Sequence, residues 1–303
     1  RKSRKEKKAR AMNLSLQSNE DDRVAFAHVA HTISDLTQVR DFLENAGFHI
    51  LEATKKLNGT DTYSHQIPLN GGYISFEATN NSYDEKLVFA NISGFGLKTP
   101  DIEGTQGRLT LHGFHPLAID SQQFQFLLPG ENLKKIEYQA FALKKDNIRE
   151  GNVEFIEIAT SNNSLSNLPH KNLINRLHAI ILCTDNPEET IARYCWLTNQ
   201  SSPKRIFDES WQIQLGQQSI VVCAQKESNR LALDVGSFNT PSILGYALLT
   251  NNLTKTNDFF SDNQTLIKSL KGGSIFAKFP DFIGGNLIIA ENILHFPWNE
   301  GFV

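Results

Sequence analysis

Ala27-His28-Val29-Ala30-His31-Thr32-Ile33-Ser34-Asp35-Leu36 is the stretch on which the reading of the whole chain turns. Its apolar run has strand character, and Ser34 or Asp35 stands where a helix needs a side-chain cap. Leu36, Val39, Phe42, Leu43 and Ala46 then recur on one helical face, and Gly47 ends it. The same phrase returns three times. Residues 95–102 lead into a helix closed near Gly113, and residues 178–185 lead into Pro187-Glu188-Glu189, a capping-box-like start with Pro just inside the helix. Residues 246–253 open a polar helix through Phe259 and Phe260. Each helix is followed by alternating, strand-like runs: 73–78, then 138–143 with 153–159, then 211–215 with 220–224, then 274–279 with 286–290. Every module is therefore predicted to run β-α-β-β-β.

With Asp35, Asp101, Asp185 and Asn252 as anchors, the first and third lie 150 residues apart and the second and fourth 151. The chain reads as two copies of a paired unit. Gly151-Asn152 precedes Glu157 as Gly285-Asn286 precedes Glu291, and His28 and His178 each stand seven residues before an anchor Asp. Each half thus supplies one His and one Glu at matched places. A plainer account is that a repeated fold repeats its turn residues, Gly-Asn being ordinary turn chemistry. Alternation puts His28, Ala30 and Thr32 on one face of the first strand and His31 on the other.

Length and composition set the frame. The 303 residues suit two domains better than one compact core. With 40% hydrophobic and 21% charged residues the composition is globular, and no apolar run nears the roughly 18 residues of a membrane helix. Seven Lys or Arg and one Glu fall within residues 1–10, so the net charge of −3 leaves about −9 on the remainder. An acidic body argues against nucleic acid as its partner, and no membrane partner is expected. Cys183, Cys195 and Cys223 have no CxxC spacing and are odd in number, which points to a reducing, cytoplasmic compartment without a disulfide framework. No apolar signal-peptide core follows the basic cluster. Residues 1–22 are expected to be a flexible basic and acidic segment, followed by paired units at 23–162 and 172–303, with the boundary where Ser, Asn and Pro cluster at 161–172.

Residues 27–36, closed by Ala46-Gly47-Phe48, resemble the opening of glyoxalase and dioxygenase modules in the vicinal oxygen chelate superfamily. Phe155-Ile156-Glu157-Ile158-Ala159 is similar to that family's closing strand, and Leu177-His178-Ala179-Ile180 to a second opening strand. The likeness spans about residues 24–291. The resemblance implies an α+β fold of four βαβββ modules, paired into two cupped mixed sheets with flanking helices. It also implies a divalent metal (Mn, Fe, Ni or Zn) inside a cup, held by His and Glu and binding two vicinal oxygens of a small-molecule substrate. Carried over residue by residue, this makes His28, Glu77 and Glu157 the metal set, with Glu77 or Glu157 doubling as the catalytic base. His178 and Glu291 form a weaker second set. The chain departs from the family pattern at Gly94 and Gly245, where a second His or Gln would stand, and at Ser75, where Glu77 lies two residues on along the same face. In the third module only Cys223 is offered at the corresponding place.

Other features have bland readings. His65, on a strand at 61–67, is either a substrate contact or fourth ligand facing the cup, or an exposed strand histidine. His112 and His115 flank Gly113 and suit a helix C-terminus. Gly71-Gly72 and Gly272-Gly273 precede strands and read as turns, and Trp196, Trp211 and Phe76 read as core. Two functions remain: a metal-dependent enzyme of glyoxalase or dioxygenase type acting on a small oxygen-bearing molecule, or a non-catalytic module that keeps the fold and binds a small molecule or partner.

Overall fold

The computed structural model describes residues 23–57, 60–78, 91–127, 133–158, 168–231, 240–263 and 265–299. Residues 1–22 and most of the expected 161–172 boundary lie outside these. The four modules run in the expected order. The first is β1 (Ala25–Ile33), α1 (Leu36–Asn45), β2 (Leu51–Leu57), β3 (Thr60–Leu69) and β4 (Gly72–Ala78); the second is β5 (Asn91–Lys98), α2 (Ile102–Leu111), β6 (Asp120–Leu127), β7 (Leu133–Ala142) and β8 (Asn152–Ile158). The third is β9 (Ile174–Thr184), α3 (Pro187–Thr198), β10 (Lys204–Phe207), β11 (Ser210–Leu215) and β12 (Gln218–Ala224); the fourth is β13 (Ser242–Thr250), α4 (Leu253–Asp262), β14 (Leu266–Ser269), β15 (Ser274–Lys278) and β16 (Asn286–Ala290).

Caps explain where the helices start. The Asp35 carboxylate accepts the Thr37 and Gln38 N–H groups at 2.8 and 3.2 Å, Asp101 accepts from Gly104 at 2.8 Å, and Asn252 accepts from Lys255 at 2.8 Å. In the third module the cap is Asn186, not the anchor Asp185, because Pro187 takes the first helical position and leaves Asn186 to reach the Glu189 N–H. The caps of both pairs of helices are therefore 151 residues apart, and the register between halves moves by one. His28 pairs with Tyr73 and Gly96, while it is Ala179 that pairs with Ser219 and Ala247 at the corresponding place. His178 is the extra residue of a bulge one step earlier, so the expected match of His28 with His178 is corrected to His28 with Ala179.

The two sheets differ in closure. The first is a closed barrel in the order β1-β4-β3-β2-β6-β7-β8-β5, and the second is an open sheet ordered β10-β11-β12-β9-β13-β16-β15-β14. β2 and β6 are long enough to pair with each other, Ala53 to Lys56 against Phe126 to Gln123. Their counterparts β10 and β14 have four residues each and remain edges. One core spans both halves. Val29, Ile33, Phe76, Phe95 and Phe155 on the outside of the barrel join Ile180, Leu182, Tyr246 and Leu248 on the helix-bearing face of the second sheet. Phe42 of α1 packs edge-on against Phe279 and Phe282, and Tyr194 of α3 stacks on Phe95. Several polar contacts bridge the halves, among them Arg108 to the Trp196 carbonyl and Asn263 to the Phe42 carbonyl, and one amide does so three times: Gln218 accepts the Phe26 N–H at 3.0 Å and donates to the Gly71 and Leu177 carbonyls at 2.6 and 3.1 Å.

Candidate functional site: the lumen of the first barrel

Register fixes which side chains point into the barrel. His28, Tyr73, Ser75, Glu77, Ser64, Gln66, Lys55, Phe124 and Tyr138 follow one another across paired positions, as do His28, Gly96 and Glu154. The opposite faces of these strands supply the shared core. The lumen is mixed: Leu51, Ala53, Phe124 and Phe126 form an apolar wall on the same face as the polar side chains. Lys55 extends its stem across it to place the ammonium 3.5 Å from Glu154 Oε1, and His28 Nε2 lies 3.9 Å from Glu154 Oε2. Ser75 donates to Glu77 at 3.1 Å, and the Tyr138 hydroxyl donates to Gln122 at 2.8 Å. The His28 ring stacks on Tyr73 with centroids 5.0 Å apart.

Burial sets the protonation states. It pushes the His28 pKa down to about 4, Glu77 opposing and Lys55 reinforcing the shift, so the imidazole is neutral at pH 7. Burial also pulls on the Lys55 ammonium, but Glu154, Tyr138 and Glu77 more than offset it, and its pKa lies above the usual lysine value. The Tyr138 phenol is pushed up to about 12 by burial, and that of Tyr73 well above its ordinary value for the same reason. The lumen thus holds a fixed cation, neutral phenols and a neutral imidazole whose Nδ1 has no hydrogen-bond partner.

Of the expected residues, the structure brings His28 and Glu77 together in this lumen. It does not bring Glu157 there. Glu157 shares a face with Val153 and Phe155, outside the barrel, and its carboxylate accepts the first helical N–H of α2, that of Ile102, at 2.8 Å. Glu291 does the same for Leu253 of α4 at 2.7 Å. The repeated Gly-Asn-x4-Glu is therefore a helix-start device, matched by a repeated hydroxyl pair, Thr99 with Thr105 and Thr250 with Thr256, each at 2.7 Å. Glu154 is the carboxylate of β8 that enters the lumen. The alternation of Val153, Glu154 and Phe155 carries that signal, since the two apolar neighbours claim the core side. Gly94 and Gly245 also have a shared cause, because a Cβ at either would collide with the carbonyl oxygen of Asn152 or Asn286 on the adjoining strand. Gly96 lies directly under the His28 ring.

His65 is buried on the outer face of β3, beside a cavity of about 410 Å³ that also takes in Arg40, Glu52 and Leu36, and does not face the lumen. His178, neutral with its pKa pushed down to about 4 by burial, stacks on Phe296 at 5.0 Å, and Phe296 stacks on Trp298 at 4.9 Å. In the second sheet the places of His28, Glu77 and Glu154 are taken by Ala179, Cys223 and Ile288, all fully buried in one apolar cluster with Phe296 and Trp298. His178 and Glu291 do not meet there.

A sequence profile described as a glyoxalase-like domain matches residues 26–198, more than half of the chain. The chain belongs to the glyoxalase-like domain family. No curated protein sequence matches it. Among solved structures, this family member is similar to a hypothetical protein from Staphylococcus aureus, at 12% identity and TM-score 0.58, covering 88% of this chain and 98% of that one. It is similar also to a triple mutant of 4-hydroxymandelate synthase from Streptomyces coelicolor, at 10% identity and TM-score 0.57 over 88% and 92% of the two chains. A third likeness is to the Mn(II)-bound glyoxalase from Novosphingobium aromaticivorans, at 10% identity and TM-score 0.58 over 89% and 83%. At such identities the likeness is one of fold, and it agrees with the vicinal oxygen chelate architecture that the sequence implied.

The donor set departs from what the divalent metal implied by the family resemblance would need. β5 offers two glycines, Glu157 faces away, and one oxygen of Glu154 is engaged by an ammonium. Among the described residues no group of three His, Cys, Asp or Glu is placed to hold a metal ion. The lumen as built does not fit a divalent metal.

Proposed function

We propose that this glyoxalase-like protein binds a small oxygen-bearing molecule in the lumen of its first barrel without a metal, as a binding module that keeps the fold. The observation that carries this reading is the Lys55–Glu154 pair beside neutral His28. The two charged side chains keep 27% and 20% of their exposure, so water and small solutes reach them, while the walls are buried. Lys55 and Tyr73 supply donors there, and Glu77 and Glu154 supply acceptors, a set suited to a hydroxy- or oxo-compound. The metalloenzyme reading draws on family membership and on His28 and Glu77 sharing the lumen; it lacks a third donor free of Lys55.

Calorimetric titration with a panel of 2-oxo acids, 2-hydroxy acids and catechols tests the proposal. At least one class is expected to bind with a Kd below about 1 mM, and Lys55→Ala to weaken it at least tenfold, a loss of about 1.4 kcal/mol. Cys223→Ala, at the matching place in the second sheet, is expected to leave binding unchanged. Binding that survives Lys55→Ala, or a panel without a binder, would overturn the assignment to this lumen.

A further inference from the structure

We infer that the cavity beside His65, on the outside of the first barrel, binds an aromatic primary amine: the ring of the ligand takes the place that Trp211 fills in the other copy, and its ammonium lies against Glu52 and His65. The site is separate from the lumen, and the inference does not depend on what the lumen binds.

The two copies show where the cavity comes from. Ser64-His65-Gln66-Ile67-Pro68-Leu69 of β3 corresponds through the strand register to Ser210-Trp211-Gln212-Ile213-Gln214-Leu215 of β11, since His65 pairs with Phe76 and Glu52 as Trp211 pairs with Val222 and Arg205. Serine, glutamine, isoleucine and leucine recur at matching places, and the ring on the outer face is what differs. In the second copy the indole packs on the shared core together with Ile191 of α3, and the Arg205 guanidinium lies over it, 5.9 Å from the ring centroid. A cation on an aromatic ring thus fills this place from within the chain. In the first copy an imidazole stands for the indole, Glu52 for Arg205, and, counted from the helix caps, Arg40 for Ile191. The ring has shrunk, the cation has become a carboxylate, and a cavity of about 410 Å³ remains.

The lining says what this cavity takes. Its apolar wall is Leu36, at the start of α1, with Tyr63, Leu127 and Leu133, the last three each more than half exposed. Large apolar side chains left to water along one cavity suit a flat apolar body. Beside them His65 is only 7% exposed, and its Nδ1 is buried without a hydrogen-bond partner. Burial holds the imidazole pKa below its ordinary value, so the ring is neutral at pH 7 and one of its nitrogens is a bare acceptor. On the rim the Arg40 guanidinium lies 3.1 Å from Glu52 and 3.8 Å from Asp41, two carboxylates to one cation. What the place lacks is a positively charged N–H donor. An ammonium supplies it to the imidazole and to Glu52, and a short alkyl link carries the ring to the apolar wall. A carboxylate on the same ring would face Glu52 instead and be repelled.

The test is calorimetric titration with tryptamine, indole-3-acetate and butylamine. Tryptamine is expected to bind with a Kd below about 1 mM, and the other two, which lack the charge or the ring, at least tenfold more weakly. His65→Trp, which writes the residue of the second copy into the first and fills the cavity, is expected to abolish tryptamine binding and to hold or raise the Tm. Should that variant not fold, Glu52→Lys, a change on a side chain that is 69% exposed, reads the charge requirement by itself and is expected to weaken tryptamine at least tenfold with little change in Tm. Failure of tryptamine to bind, equal binding of indole-3-acetate, or binding that survives either substitution would overturn the inference. So would tryptamine binding lost in Lys55→Ala, which would assign the amine to the lumen.

Discussion

The first barrel and the second sheet are built from the same modules, and they handle the same three places in opposite ways. Where the barrel has His28, Glu77 and Glu154, the second sheet has Ala179, Cys223 and Ile288. Closure goes with the difference. The barrel seals its backbone by joining β2 to β6 and can keep a wet, charged interior, whereas the open sheet covers the corresponding face with the 3-10 turn Gln225–Leu231 and with Phe296 and Trp298. The first copy keeps a polar trio at these places, and in the second the same places are filled by two apolar side chains and a thiol.

The hardest test of this contrast is to write the polar residue of one half into the other. Ile288→Glu puts an unpaired carboxylate into a fully buried apolar cluster, and a loss of about 4 kcal/mol or more in urea unfolding is expected. A variant that unfolded at the wild-type urea concentration would show that this face is wetter than its packing implies.

A smaller effect comes from acid and is expected in both halves. His28, His31 and His178 each have a folded pKa near 4 because burial disfavours the imidazolium, against 6.5 for the ordinary side chain. The unfolded chain therefore binds these protons more readily. Stability should be flat above about pH 6.5 and fall as pH drops toward 4, each histidine adding a slope of up to about 1.4 kcal/mol per pH unit. His28→Gln and His178→Gln should each reduce the steepness of Tm against pH by a similar share, and an unchanged profile in either would place that imidazole in contact with water.

The smallest effect separates the two glutamates of β8. Glu157→Ala removes a helix-start acceptor and is expected to cost about 1 kcal/mol, the same as Glu291→Ala in the other half, with ligand binding untouched. Glu154→Ala should do the reverse, sparing α2 and weakening binding. Loss of binding in Glu157→Ala would return that residue to the site.

Much of the fold was legible because it rests on local signals. The alternation of each strand run, the caps at Asp35, Asp101 and Asn252, and the glycines after the helices all have one reading. The shift from Asp185 to Asn186 shows the limit of resolution by anchors: one proline moved the cap by a residue, and in a strand one residue exchanges the faces. Glu157 illustrates the same limit. Its repeat with Glu291 was real, but a repeat does not say which face a side chain takes, and the answer depended on Val153 and Phe155 finding a core made largely by distant segments. Lys55 carried no local signal. Its role exists only because β2 lies across the barrel from β8, a relation set by the β2–β6 pairing that no stretch of sequence announces.

The joint made by Gln218 bears on how the two copies live together. Its one amide answers a strand N–H in the first half, a turn carbonyl in the first half and a strand carbonyl in the second, and around it lie Phe42 against Phe279 and Tyr194 against Phe95. Pulling the halves apart would strand those backbone groups and bare the aromatic faces together. The duplicated units are therefore expected to melt together as one cooperative body, so that a change made in one copy is felt in both.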